Sequence, residues 1–305
     1  MGIAFGALLT FGALFAGALI TMWLELRLLS GATELGAASP VAMRSDVQPE
    51  KIDSWIYIAA PVVALAGACW AAVVIPFSSK FIGADLGIGL FYFIVVVDFV
   101  VLAIALGGWG ANTAHAVEAC YRIVAQLVAY VVPLGLAIIG PIMMARSLST
   151  VSIISAQEKA GYPYLVVQPL GFALYLVTGL MQTYRAPFLE PFADRIEQGV
   201  LSVYGGWKAA LWRVALSGLL FVVAAMGAIL FLGGYAGPLL PAPVWMLLKT
   251  FGLMALMVWG GRRFRLLSTA GMLALAWKVL IPIGLLNVLI VGALILFGVG
   301  QSPFK

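Results

Sequence analysis

The sequence predicts an all-α membrane protein with about eight transmembrane helices. Three observations carry this: 64% of the 305 residues are hydrophobic, only 10% are charged, and most charge-free stretches are about as long as a bilayer is thick. Mean hydropathy is +1.11. Soluble domains carry about 25% charged residues, so this composition excludes an ordinary globular protein. It equally excludes a disordered, collagen-like or disulfide-rich secreted chain. At roughly 20 apolar residues per crossing, a single polytopic domain over 1–305 fills the chain and leaves no room for a large soluble one.

The crossings follow in order from the uncharged runs. Residues 2–24 contain no Asp, Glu, Lys or Arg. Nothing before Glu25 is charged, so this segment lacks the basic start of a signal peptide and is expected to be a retained first helix with its N-terminus translocated. Residues 54–79 are uncharged, and 86–114 are interrupted only by Asp98. Gly107-Gly108-Trp109-Gly110 is expected to end that third helix rather than cradle a phosphate. Residues 123–145 and 160–184 are uncharged again. The stretch 214–248 is too long for one helix, and Gly233-Gly234 through Pro238, Pro241 and Pro243 divides it. Helices are therefore expected over about 212–232 and 242–260, and the run 276–299 completes the set.

Basic residues orient the bundle. With eight crossings, one side holds Arg27, Arg44, Lys51, Arg185, Arg195, Lys208, Arg262, Arg263 and Arg265. The other holds Lys80, Arg146, Lys159 and Lys305. The positive-inside bias places the first side in the cytoplasm and both termini outside. The net charge of +5 is thus read as topology, not as nucleic-acid binding. The two main cytoplasmic loops are expected at 25–54 and 183–211.

Chemistry is constrained by what is missing. There is one histidine, His115, and two cysteines, Cys69 and Cys120, without a CxxC spacing. No iron–sulfur, haem or zinc ligand set can be assembled from them, no catalytic triad is credible, and no phosphate-binding glycine motif follows a strand. The expectation is no catalytic residue, no metal and no cofactor bound by this chain. Ionisable groups inside a membrane are costly and are functional candidates by default. Asp98, within a run of valines, is a candidate for carrying a proton; the bland reading is a neutral carboxyl bonded to a neighbouring helix. Glu118 and Arg122 share a helical face and pair locally or line a polar path. Lys249 sits inside the seventh helix, and Lys278 near the start of the eighth, where it can snorkel to the surface. Two classes stay open at this point, a subunit of a larger assembly and a free-standing ion or solute transporter.

Ordered motifs then point to a family. Gln168-Pro169-Leu170-Gly171-Phe172 followed by Thr183-Tyr184-Arg185-Ala186-Pro187-Phe188 resembles membrane subunit 1 of respiratory complex I, also called its H subunit. That family includes related membrane subunits of energy-converting hydrogenases and formate hydrogenlyase. Ala60-Pro61, Ile75-Pro76-Phe77, Gly108 to Thr113, Arg122 with Ala125-Gln126, Pro133 to Leu136, Tyr204-Gly205-Gly206, Leu248-Lys249-Thr250 and Trp277 to Pro282 extend the likeness over about residues 55–299. The resemblance implies a connector between a peripheral redox arm and an ion-pumping membrane arm in a bacterial or archaeal inner membrane. It implies peripheral iron–sulfur or hydrogenase-like subunits, antiporter-like and small membrane subunits and lipids as partners. Iron–sulfur clusters would lie on those partner subunits, and a quinone at the interface with the peripheral arm. Arg185, Pro187, Phe188, Glu190, Asp194 and Arg195 are then candidates for quinone-side or peripheral-arm contact. Asp98, Glu118, Arg122, Lys249 and Lys278 are candidates for a proton or ion path.

The chain also departs from that pattern. Where the family carries carboxylates, this sequence has Gln182, Val131 and a residue near Leu216, none of which can ionise. The segment after the first helix is shorter and rich in Gly, Ala and Ser. Either quinone and proton chemistry run through altered residues, or part of that role has degenerated into structure.

Overall fold

The computed structural model describes residues 12–13, 15–21, 52–79, 81–188, 200–261 and 263–298. Every regular element among them is helical. The helices are α1 (15–21), α2 (Ser54–Ala72), α3 (Gly89–Gly110), α4 (Ala114–Ala145), α5 (Thr150–Ala160), α6 (Tyr164–Val167), α7 (Pro169–Gln182), α8 (Gly206–Leu232), α9 (Ala242–Gly261), α10 (Thr269–Leu275) and α11 (Ile281–Leu296). A 3-10 turn, Val200–Val203, precedes α8, and a π-helical turn, Ala276–Leu280, joins α10 to α11. Among the described residues, six helical runs are long and apolar enough to cross a membrane: α2, α3, α4, α8, α9 and the continuous run Thr269–Leu296; α7 is a shorter apolar helix.

Local sequence sets the helix ends. Thr113 caps α4 by accepting from the Ala116 N–H, Ser149 caps α5 from Ser152, and Ser268 caps α10 from Gly271. Gly161 and Gly233 end α5 and α8 with φ of 76° and 72°, a conformation that costs a side chain but not glycine. The π turn sits just ahead of Pro282. A proline has no N–H for the carbonyl four residues back, and widening the turn before it accommodates that loss.

The core is organised around α8. Every residue from Ala215 to Phe231 is buried, and 94% of its apolar stretch is enclosed, against 22% for Thr269–Leu296. Helix α8 packs against α2, α7 and α9, while α4 packs against α7 and α11, and α3 joins the two groups. Small residues let backbones approach. At Gly227, a Cβ would lie 2.7 Å from the Tyr175 ring of α7, whose hydroxyl donates to the Val223 carbonyl at 2.7 Å. Stacked Tyr57 and Tyr204, with centroids 4.3 Å apart, tie α2 to the segment before α8.

Several expected boundaries move. The run expected at 123–145 begins at Ala114, because Thr113 supplies a cap that charge counting does not register. The uncharged run 160–184 is a broken helix, interrupted at Gln168 before Pro169, where proline removes a helical donor. Helix α5 falls outside the expected set, in the connection after α4. Gly110 ends α3, as the glycine cluster predicts. The first expected crossing is described only at 12–13 and 15–21.

Candidate functional site

Four residues on α4 recur at a spacing of four: Glu118, Arg122, Gln126 and Tyr130. Each lies one turn from the next, so the four form a stripe that winds about 40° round the helix per step. They run from exposed Glu118 through half-buried Arg122 to fully buried Gln126 and Tyr130. A polar stripe on a membrane helix can persist only where the neighbouring helices supply partners, and here they do.

At the outer end of the stripe, Arg122 Nη2 donates to Glu118 Oε1 at 2.5 Å, a one-turn ion pair. One turn further, Gln126 Nε2 donates to the carbonyls of Met181 at 2.5 Å and Phe188 at 3.2 Å. This amide holds the end of α7 and the turn after it against α4. At the inner end, the Tyr130 hydroxyl donates to Asp98 Oδ1 of α3 at 3.4 Å, long for such a bond. Gln182 lies beside Tyr130, and Tyr184 is within electrostatic reach of both Tyr130 and Asp98. Among the described residues, no Lys or Arg forms a salt bridge with Asp98. The structure therefore brings α3, α4 and the end of α7 together around one half-buried carboxyl with phenol and amide neighbours. Such a group can gain or lose a proton without breaking an ion pair.

The Arg185–Phe188 turn packs inward. Arg185, Pro187 and Phe188 are buried in this chain, and the Ala186–Pro187 peptide is cis. The Pro187 carbonyl accepts from Leu267 N–H at 2.9 Å, and Phe188 N–H donates to the Arg185 carbonyl at 2.8 Å. The Ala186 carbonyl lies against Gly261 at the end of α9. The turn is thus clamped between α4 and α9. Glu190, Asp194 and Arg195 lie outside the described residues.

The two lysine candidates fall elsewhere. Lys249 Nζ donates to the carbonyls of Leu232, Gly234 and Ala236 at 2.7, 2.8 and 2.6 Å, closing the end of α8. Those carbonyls have no helical donors, and the negative end of the helix dipole attracts the ammonium. All three of its protons are thereby used by backbone. Lys278 is exposed on the π turn. Neither reaches Asp98.

At the three positions where the resemblance leads one to expect carboxylates, the surroundings differ. Gln182 is buried beside Tyr130, Leu216 is buried in α8, and Val131 is exposed on the outer face of α4. Sequence reasoning missed Tyr130 and did not join Gln126 to the Glu118–Arg122 pair. The signal was present in the i, i+4, i+8, i+12 recurrence along α4. Tyr184 carried no such signal, because a turn brings it to Asp98.

Comparison with known proteins gives this arrangement a family. A family model described as NADH dehydrogenase matches residues 38–292. The second H-type subunit of NADH-quinone oxidoreductase from Syntrophobacter fumaroxidans is 34% identical over 301 residues, covering 90% of this chain and 90% of that protein. The H subunit of the same enzyme from Syntrophotalea carbinolica is 34% identical over 260 residues, covering 82% of this chain and 78% of that protein. The Bacillus cereus H subunit is 33% identical over 251 residues, covering 81% and 75%. The motifs around Gln168, Arg185 and Trp277, the apolar helices and these matches agree: the chain is an integral membrane protein belonging to the NADH dehydrogenase family, that of complex I membrane subunit 1.

Proposed function

We propose that this chain is the membrane-embedded connector of an NADH-quinone oxidoreductase-type or related hydrogenase-type complex. It links a peripheral redox arm to an ion-pumping membrane arm and has no catalytic residue of its own. The relatives are H-type subunits of NADH-quinone oxidoreductases, which supports membership of a multi-subunit assembly. In this reading eight helices cross an inner membrane with both termini outside. Iron–sulfur clusters belong to peripheral partners, and quinone meets the chain on the side of the 25–54 and 183–211 loops. Antiporter-like and small membrane subunits complete the membrane arm.

One observation carries the coupling part of the proposal: the α4 stripe leads from the Glu118–Arg122 pair through Gln126 and Tyr130 to Asp98. With Gln182, Val131 and Leu216 unable to ionise, Asp98 is the carboxyl at the inner end of this route able to take up a proton, and Glu118 the one at its exposed end. Proton coupling is thereby rerouted through Asp98 rather than carried by a chain of carboxylates. The transporter alternative rests on Asp98 and Lys249 as isolated membrane charges. Lys249 is saturated by backbone carbonyls, which leaves that reading one residue to stand on.

The test is Asp98→Asn in the intact complex, with proton translocation and electron transfer measured together. The proposal expects translocation per electron to fall while the complex still assembles. Unchanged values of both would remove Asp98 from the route. Isolation of the native chain as a stable, partner-free monomer would overturn the connector reading.

A further inference from the structure

The break between α6 and α7 brings two buried amides to one point inside the bundle, and the geometry points to a bound water molecule between them. Gln168 stands at the break, with φ −127° and ψ 57°, and its side chain is fully buried. Its Nε2 faces the Met144 sulfur of α4. Its Oε1 is buried and has no hydrogen-bond partner among the described residues. Asn287 of α11 is 2% exposed, and its Nδ2 is buried and unpartnered in the same sense. One orphan is an acceptor and the other a donor.

Two glycines show that these atoms share a location. A Cβ built on Gly140 would collide with Gln168 Oε1 and lie 3.3 Å from Asn287 Nδ2. A Cβ on Gly171 would lie 3.0 Å from Asn287 Nδ2 and 3.2 Å from its Oδ1. Helices α4 and α7 therefore leave bare backbone where the amides meet. Two hydrogen bonds of roughly 2.8 Å through a single water span up to about 5.6 Å, and both orphan atoms, flanking the same Gly140 position, lie within that reach of each other.

Leaving an amide donor and an amide acceptor unmade in an apolar interior is costly, and a buried water with two or more polar partners is the usual remedy. Water suits this place better than an ion, because both amides are neutral and no carboxylate accompanies them among the described residues. Turning the Asn287 amide over does not remove the need, since water donates to an oxygen as readily as it accepts from an NH2 group. Turning Gln168 over would set its oxygen against the Met144 sulfur, acceptor against acceptor. The site lies at the opposite end of α7 from Gln182 and is independent of the Asp98 proposal.

A density map of the native complex, sharp enough to show ordered waters, tests this directly. A peak within hydrogen-bonding distance of both Gln168 Oε1 and Asn287 Nδ2 is the expected result. Direct contact of the two amides, or amides apart with nothing between them, overturns the proposal. A melting-temperature cycle with Gln168→Met, Asn287→Leu and the double variant gives a second readout. Each single change is expected to lower the midpoint by several degrees, and the double variant to recover most of the loss. Strictly additive losses would overturn the shared site.

Discussion

The hydroxyl of Tyr130 on α4 reaches across to the carboxylate of Asp98 on α3, and it is the only hydrogen bond that carboxylate accepts from a side chain among the described residues. Tyr130→Phe removes that donor and keeps the ring. The expected cost in stability is about 1 kcal/mol, the usual worth of one such bond. If Asp98 carries protons, coupled turnover should change in the same variant while cluster-to-acceptor electron transfer with an uncoupler does not. Measuring both rates on one preparation checks it.

Gln126 ties one carbonyl of the α7 end, Met181, and one of the turn after it, Phe188, to α4, so its loss should act on the turn rather than on α4 itself. Gln126→Leu leaves the Phe188 carbonyl without its donor and the Met181 carbonyl with only backbone bonds from the end of its own helix, that from Tyr184 N–H being 3.3 Å long. A cost of about 1–3 kcal/mol is expected, from the desolvation of unmade bonds. Limited proteolysis near residues 185–190 should become faster in this variant, with the rest of the digestion pattern unchanged.

Lys249→Met keeps the length of the side chain and removes three charge-assisted bonds to backbone. These are partly exposed, so the expected loss is about 2–3 kcal/mol rather than the sum of three full bonds. Translocation per electron in the assembled fraction should be unchanged. A fall in that ratio without a fall in melting temperature would assign Lys249 to the ion route instead.

Glu118 is exposed and Arg122 half-buried, one helical turn apart. Glu118→Gln is expected to change stability by no more than about 0.5 kcal/mol, less at high salt. Any effect larger than about twofold on coupled turnover in that variant would mark the pair as part of the path. This separation of stability from turnover is the useful feature of the measurement.

Gly227→Leu should fail where Gly252→Leu is tolerated. The first would drive a side chain into the Tyr175 ring, and the second faces open space. Overpacking of this kind costs about 1–3 kcal/mol. Yield of detergent-solubilised complex and its melting temperature report the difference.

Much of the fold was legible because the membrane makes charge expensive. Runs with little or no charge locate α2, α3, α4, α8, α9 and α11, with Asp98 inside α3 and Lys249 inside α9, and Gly233 and Pro238 divide the longest run correctly. What charge counting does not see is hydrogen bonding. It missed the cap at Thr113, the proline break at Gln168, and helix α5, whose Glu158 and Lys159 disguised it as a connection. The site was half legible for a similar reason. Asp98 announces itself by its charge among valines, but Tyr130 and Gln126 look like ordinary residues until α3 and α7 are laid against α4. The partners of Lys249 were not legible in the sequence because they are backbone carbonyls, which every residue has and no sequence displays.

Helix α8 has a consequence for how the protein is made. Enclosed by its neighbours over nearly all of its apolar length, it must leave the ribosome and enter the bilayer before α9 has emerged to cover it. During that interval its apolar length is held by lipid or by the insertion machinery, with glycine and serine facing a medium they will not face later. A chain truncated after Leu232 would therefore insert but not mature. Pulse-labelled intermediates of that length should be handed to quality-control proteases, while chains extended past Gly261 should survive.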